Sequence, residues 1–199
     1  MNQLTTDSTT DSTTDSTTAA LVRATAPSAS HARSAPSAPE PPRRFAFVQA
    51  MWHAEIVQRG REGFLAEIER LGVPPDRVDT YTVPGAFEIP LHVQLLAQSG
   101  RYAAVVACAF VVDGGIYRHE FVADAVIAGL MRVQLDTGVP VISCVLTPKE
   151  FHEHEQHRRF FHEHFVHKGG EAARACVQTV EGLKRLAVSL AASVSAAVT

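Results

Sequence analysis

The order of apolar segments predicts a three-layer α/β domain, in which a four-stranded parallel sheet carries helices on both faces. Three observations support this. Strand-like and helix-like runs alternate from residue 44 onward. The run AAVVACAFVV at 103–112 is almost continuously apolar, as expected of a central parallel strand covered on both sides. The chain has 199 residues, 46% of them hydrophobic, which is enough for one well-packed domain and too little for two of ordinary size.

Residues 1–43 stand apart. TTDS recurs between positions 5 and 18, and an Ala/Ser/Pro-rich stretch follows. Such a composition buries too little apolar surface to offset its ordering entropy, so a disordered tail is expected. The stretch 19–34 has some transit-peptide character, but Asp7, Asp11 and Asp15 upstream argue against that role. The folded domain is expected over 44–192. FAFVQAM (45–51) reads as a strand, and Val57, Phe64, Ile68 and Leu71 trace one face of the helix after it. VDTYTV (78–83) alternates as a strand does, and a helix should run from about Phe87 to Gln98. After the central strand, Val122, Val126, Leu130 and Val133 form a stripe on a helix spanning about 120–136. VPVISCVL (139–146) is a fourth buried strand, two helices over about 149–165 and 169–192 follow, and 193–199 reads as a flexible tail.

The formal charge of −3 gives no electrostatic footprint for nucleic acid or an anionic membrane. Cys108, Cys144 and Cys176 are an odd, widely spaced set in apolar runs, and they read as buried free thiols of a reducing compartment. No basic-then-apolar leader is visible, and the Ser-rich stretch 186–199 is too short to span a bilayer, so the cytoplasm is the expected location.

Chemistry is expected where three loops leave the C-terminal ends of successive strands. In open α/β sheets that edge holds the ligand. The first loop carries Met51, Trp52 and His53, including the only tryptophan, which is either a core residue or a flat face for a planar heterocycle. The second, within VPGAFEIP (83–90), places Glu88 among apolar residues at a helix start, where negative charge is favoured. Such a carboxylate either stabilises its own helix or faces a ligand. The third runs from Asp113 through Gly114, Gly115, Ile116 and Tyr117 to Arg118 and His119. Its Gly-Gly pair makes a tight turn or brings backbone N–H groups to an anion. Arg118 supplies a fixed cation and His119 a group able to transfer protons near neutral pH. The run FHEHEQHRRFFHEHFVHK (151–168) holds six histidines. HxH on a helix sends its rings to different faces and no HExxH occurs, so a cationic, anion-facing helix is favoured over a metal site.

Together these residues resemble the lumazine synthase family. VPGAFEIP matches one of that family's most specific motifs, and the aromatic after the first strand, the GG loop, VLT at 145–147 and KGGEAA at 168–173 follow in the same order over about 44–185. GGIYRHEF (114–121) is similar to the family's second, divergent type. The resemblance implies a flavodoxin-like sheet, pentamers that pair into decamers, and active sites between subunits. It implies condensation of 5-amino-6-(D-ribitylamino)uracil with 3,4-dihydroxy-2-butanone 4-phosphate to 6,7-dimethyl-8-ribityllumazine, with no metal or organic cofactor and with riboflavin synthase as a possible partner.

Carried over by position, Trp52 with His53 lies against the pyrimidine, while Ala86, Phe87 and Glu88 hold the ribityl chain. Phe110, Val111 and Val112 present backbone groups to the uracil edge, and Gly114, Gly115 and Ile116 face the phosphate. Three positions depart from the family pattern. The usual catalytic histidine falls on Arg118, with His119 next to it. The aromatic from a neighbouring subunit falls on Ser143, and the phosphate-binding arginine falls on His157, followed by Arg158. These departures keep a second expectation alongside the enzyme, a lumazine- or flavin-binding protein with little turnover.

Overall fold

A computed structural model describes residues 44–116, 118–152 and 154–197. The segment 1–43 expected as a tail, and Tyr117, lie outside the described residues. The elements are β1 (Arg44–Ala50), α1 (Ala54–Arg70), β2 (Val78–Val83), α2 (Ile89–Gln98), β3 (Tyr102–Phe110), α3 (His119–Thr137), β4 (Val141–Leu146) and α4 (Glu155–Ala197). The four strands pair in parallel in the order β2-β1-β3-β4.

Alternation along the strands divides the core into two. Ala46, Val48, Val105, Ala107 and Ala109 face α2 and α3, where Val93, Val126, Leu130 and Val133 meet them. Phe45, Phe47, Val106, Cys108 and Cys144 face α1 and α4, packing on Val57, Phe64, Ile68 and Phe165. This is the expected three-layer arrangement. All three cysteines are free and buried, and burial pushes the Cys176 thiol up to about 12.

The C-terminal third corrects the expectation. In place of two helices over about 149–165 and 169–192, one helix of 43 residues runs from Glu155 to Ala197. Gly169 and Gly170 are poor helix formers, yet Gly169 serves a close helix crossing. A Cβ on Gly169 would stand 1.9 Å from the Gly60 carbonyl oxygen, and one on Gly63 would stand 2.0 Å from that of Val166. Backbone therefore meets backbone where α1 and α4 cross, and packing overrides propensity. The helix also starts six residues later than expected, so His152 sits in the loop before it. Across the same helix pair, Arg174 Nη1 reaches Glu67 Oε1 at 2.8 Å, and Arg70 holds the same carboxylate from within α1.

Candidate active site

The strand order reverses direction of growth at β1, which pairs with both β2 and β3, so the crevice at their C-terminal ends is the favoured ligand position. Three loops converge there. The Met51 N–H donates to the Val83 carbonyl at 2.9 Å, tying the exits of β1 and β2 together. His53 follows in the left-handed region (φ 52°, ψ 44°), the one non-glycine with positive φ among the described residues. Its carbonyl accepts the N–H groups of Ile56 and Val57 and so begins α1.

Between these two residues Trp52 is 69% exposed, yet its indole is placed by the second loop. A Cβ on Gly85 would stand 3.5 Å from indole Cδ2 and Cε2 and 3.1 Å from Glu88 Oε2. The bare Gly85 thus lets ring and carboxylate share one corner. Its N–H donates to Glu88 Oε2 at 2.9 Å across a single 3-10 turn (Ala86–Glu88), after which Ile89 and Pro90 open α2. Ala86 is buried, while Phe87 and Glu88 face outward. One face of the corner is apolar and flat, and the other is anionic.

The third loop begins at buried Phe110, and the Val111 N–H donates to the Leu146 carbonyl at 3.0 Å. Val112 is half-buried, and Gly114, Gly115 and Ile116 are exposed. Gly115, at φ 75°, donates its N–H to Asp113 Oδ1 at 2.7 Å, so an incoming anion must displace a carboxylate to use that donor. The guanidinium carbon of Arg118 lies 4.8 Å from the Phe121 ring centre, a cation–π contact. His119 opens α3 with its side chain only 14% exposed and its Nδ1 3.6 Å from Glu120 Oε2.

The remaining expected residues sit around this edge on other elements. Ser143 is exposed on β4, where its Oγ accepts the Val145 N–H at 3.3 Å. His157 is half-buried at the start of α4 and its Nδ1 accepts the His152 N–H at 3.3 Å. Arg158 faces α1, with Nη2 3.4 Å from Glu55 Oε1, beside a cavity of about 480 Å³ that is also lined by Arg159 and His162. A larger cavity of about 760 Å³, bordered by Phe45, Val73, Val139 and Val180, lies at the opposite, N-terminal edge of the sheet and away from these loops. The structure therefore brings Trp52, Gly85 and Glu88 together directly, while Ser143 lies on β4, at the edge of the sheet beyond β3.

Two participants escaped sequence reasoning. Phe151 is buried and meets the His53 ring, an apolar residue with no signal to separate it from the surrounding His-rich run. Asp113 was visible in the third loop, but its bond to Gly115 has no sequence signature distinct from a ligand-binding glycine. The histidine run contributes ring contacts, His152 lying 6.0 Å from His154 and 5.4 Å from His157. Among the described residues no group of three His, Cys, Asp or Glu is placed to hold a metal ion.

Known proteins carry the same pattern. The family profile of 6,7-dimethyl-8-ribityllumazine synthase matches residues 42–184. A 6,7-dimethyl-8-ribityllumazine synthase from Rhodococcus erythropolis is 63% identical over 146 residues, covering 73% of this chain and 94% of that protein. A 6,7-dimethyl-8-ribityllumazine synthase 2 from Pseudomonas syringae is 55% identical over 146 residues, 73% of this chain and 86% of its own. A 6,7-dimethyl-8-ribityllumazine synthase from Xylella fastidiosa is 39% identical over 143 residues, 72% of this chain and 91% of its own. With its sheet order, its three strand-end loops and these relatives, the chain belongs to the 6,7-dimethyl-8-ribityllumazine synthase family.

Proposed function

We propose that this chain acts in riboflavin biosynthesis as a transferase, condensing 5-amino-6-(D-ribitylamino)uracil with 3,4-dihydroxy-2-butanone 4-phosphate to give 6,7-dimethyl-8-ribityllumazine. The observation that carries the reading is the corner formed by Trp52, Gly85 and Glu88. A flat indole beside a carboxylate suits a heterocycle bearing a polyhydroxy chain, because the ring stacks and the acid accepts hydrogen bonds from hydroxyls. Backbone groups of Phe110, Val111 and Val112 then face the uracil edge. The glycine loop takes the phosphate, with the basic residues His157 and Arg158 completing its charge.

The chemistry asked of the protein is mostly placement. The 5-amino group attacks the ketone, the carbinolamine loses water to form an imine, phosphate departs, and ring closure releases a second water. Holding the two reactants together can supply roughly 7–11 kcal/mol of the barrier. Arg118 stays charged and serves as a phosphate clamp, and His119 is the group able to move a proton at the carbinolamine oxygen.

Trp52, Phe87 and Ile116 are all largely exposed in one chain, so the corner is open on one side. A neighbouring subunit supplies that wall in the assembly we propose, a pentamer that pairs into decamers, working in the cytoplasm upstream of riboflavin synthase. Purified full-length chain incubated with both substrates should form the lumazine and release phosphate. Binding of the lumazine without its formation would support the second reading, a carrier with little turnover, which is favoured by Asp113 occupying the Gly115 N–H.

A further inference from the structure

We propose that His53 is a positioning residue that joins the two halves of the site, linking the ring-stacking Trp52 to the start of α4, where His157 completes the phosphate's charge. The proposal rests on the substrate assignment above. The backbone and the ring of His53 serve different partners. Its left-handed backbone turns the chain between β1 and α1, and this turn sets Trp52 against Gly85. Asparagine, aspartate and histidine are the side chains that enter this region most readily, so an asparagine or glycine would make the turn as well. The imidazole makes no capping bond to the helix it precedes. It wedges edge-on against Phe110 and Phe151, each 5.6 Å from it, and these two rings meet each other at 5.1 Å.

Phe151 is buried, and the next residue, His152, donates its N–H to His157 Nδ1. A path therefore runs along the chain from Trp52 to His53, by ring contact to Phe151, along the chain to His152 and by hydrogen bond to His157. A turn residue alone does not require a ring packed between two phenyl groups, and a mechanical link does. Phosphate held beside His157 should consequently be felt at the indole, and by reciprocity occupancy at the indole should alter phosphate affinity.

Trp52 is the only tryptophan in the chain, so its emission reports on the link. Inorganic phosphate titrated into the unmodified full-length protein should change that emission. His53→Asn keeps the left-handed turn and deletes the wedge, and it should abolish the change. In turnover, His53→Asn should raise KM for the butanone phosphate at least about fivefold more than KM for the pyrimidine, the lower end of ordinary site-to-site coupling. Phe151→Leu should reproduce both effects, and the double variant should be no worse than either single one.

Persistence of the emission change in His53→Asn overturns the proposal, as does phosphate that fails to bind or binds without moving the emission. Multiplicative effects in the double variant overturn it too. Should His53→Asn fail to fold, Phe151→Leu with rescue by Phe151→Tyr decides the matter. Absence of turnover in the unmodified chain would defeat the substrate assignment alone, because the phosphate-dependent emission needs no turnover.

Discussion

Gly85 sets the geometry of Trp52 and Glu88, the two side chains packed beside it. With no side chain of its own, it admits Trp52 and Glu88 to a single corner. Removing the indole there should matter in proportion to stacking, roughly 0.5–1.5 kcal/mol beyond area burial. Trp52→Ala is therefore expected to weaken lumazine binding several-fold by calorimetric titration, and unchanged affinity would remove the indole from the site. Asp113 acts in the opposite sense. Its carboxylate holds the Gly115 N–H and adds negative charge to the loop proposed to take the phosphate, so Asp113→Ala should lower KM for the butanone phosphate in steady-state assays. A raised KM would show that the carboxylate shapes the loop and does not compete for it. Trp52 and Glu88 were legible in the sequence because a lone tryptophan and an acid among apolar residues are out of place in their segments. Asp113 and Phe151 were not, since what they do depends on a neighbour's orientation.

At the level of elements, the strands and most helices follow from the sequence because each has its own period. VDTYTV was read as a strand, and β2 occupies the same span, Val78–Val83. The stripe ending at Leu130 and Val133 is the buried face of α3. The continuity of α4 was hidden, because its cause lies about 100 residues away on α1 and no local rule describes a backbone-to-backbone crossing. That crossing makes the glycines unequal. Gly63→Ala and Gly169→Ala should each destabilise by about 1–3 kcal/mol or more through overpacking. Gly182→Ala, with only Arg185 Nη2 at 4.0 Å, should stabilise by roughly 0.5–1 kcal/mol through helix propensity. Chemical denaturation of the three variants tests this ordering. The same helix pair carries a pH dependence. Hydrogen bonds from Arg70 and then Arg174 hold the Glu67 carboxyl down to about 2. A depressed carboxyl contributes stability above its unfolded pKa and loses it as pH falls towards the folded value. Glu67→Gln should thus be less stable than the unmodified chain at neutral pH, and the gap should close between about pH 5 and pH 2 in thermal melts. A gap independent of pH would mean the ion pairs contribute nothing.

For the whole molecule, the question is what covers the outer surface of the α2–α3 layer. The stripe read from the sequence on the third long helix is spent inside the core. It is the opposite side that is surplus, with Leu91 and Leu95 on α2 and Phe121, Ile127, Met131 and Leu135 on α3 all exposed. An apolar patch of this kind suits the subunit contact proposed above. Leu135→Lys combined with Met131→Lys is expected to give a monomer mass by light scattering and to abolish turnover, since the open corner then lacks its neighbour. An unchanged mass would place the interface elsewhere. The α1–α4 crossing has a further consequence, in the order of synthesis. One face of the sheet, with Phe45, Phe47, Val106 and Cys108, is closed by α1 from the beginning of the domain and by α4 from its end. While the chain is being made, β1 to β4 can assemble under α1, α2 and α3, but half of that face has no cover until the last helix has left the ribosome. Domains form from the N-terminus as they are synthesised, and apolar surface left bare in that interval invites aggregation. Shortening the chain within α4 would extend the interval indefinitely, because the glycine contact between α1 and α4 could then never close that face.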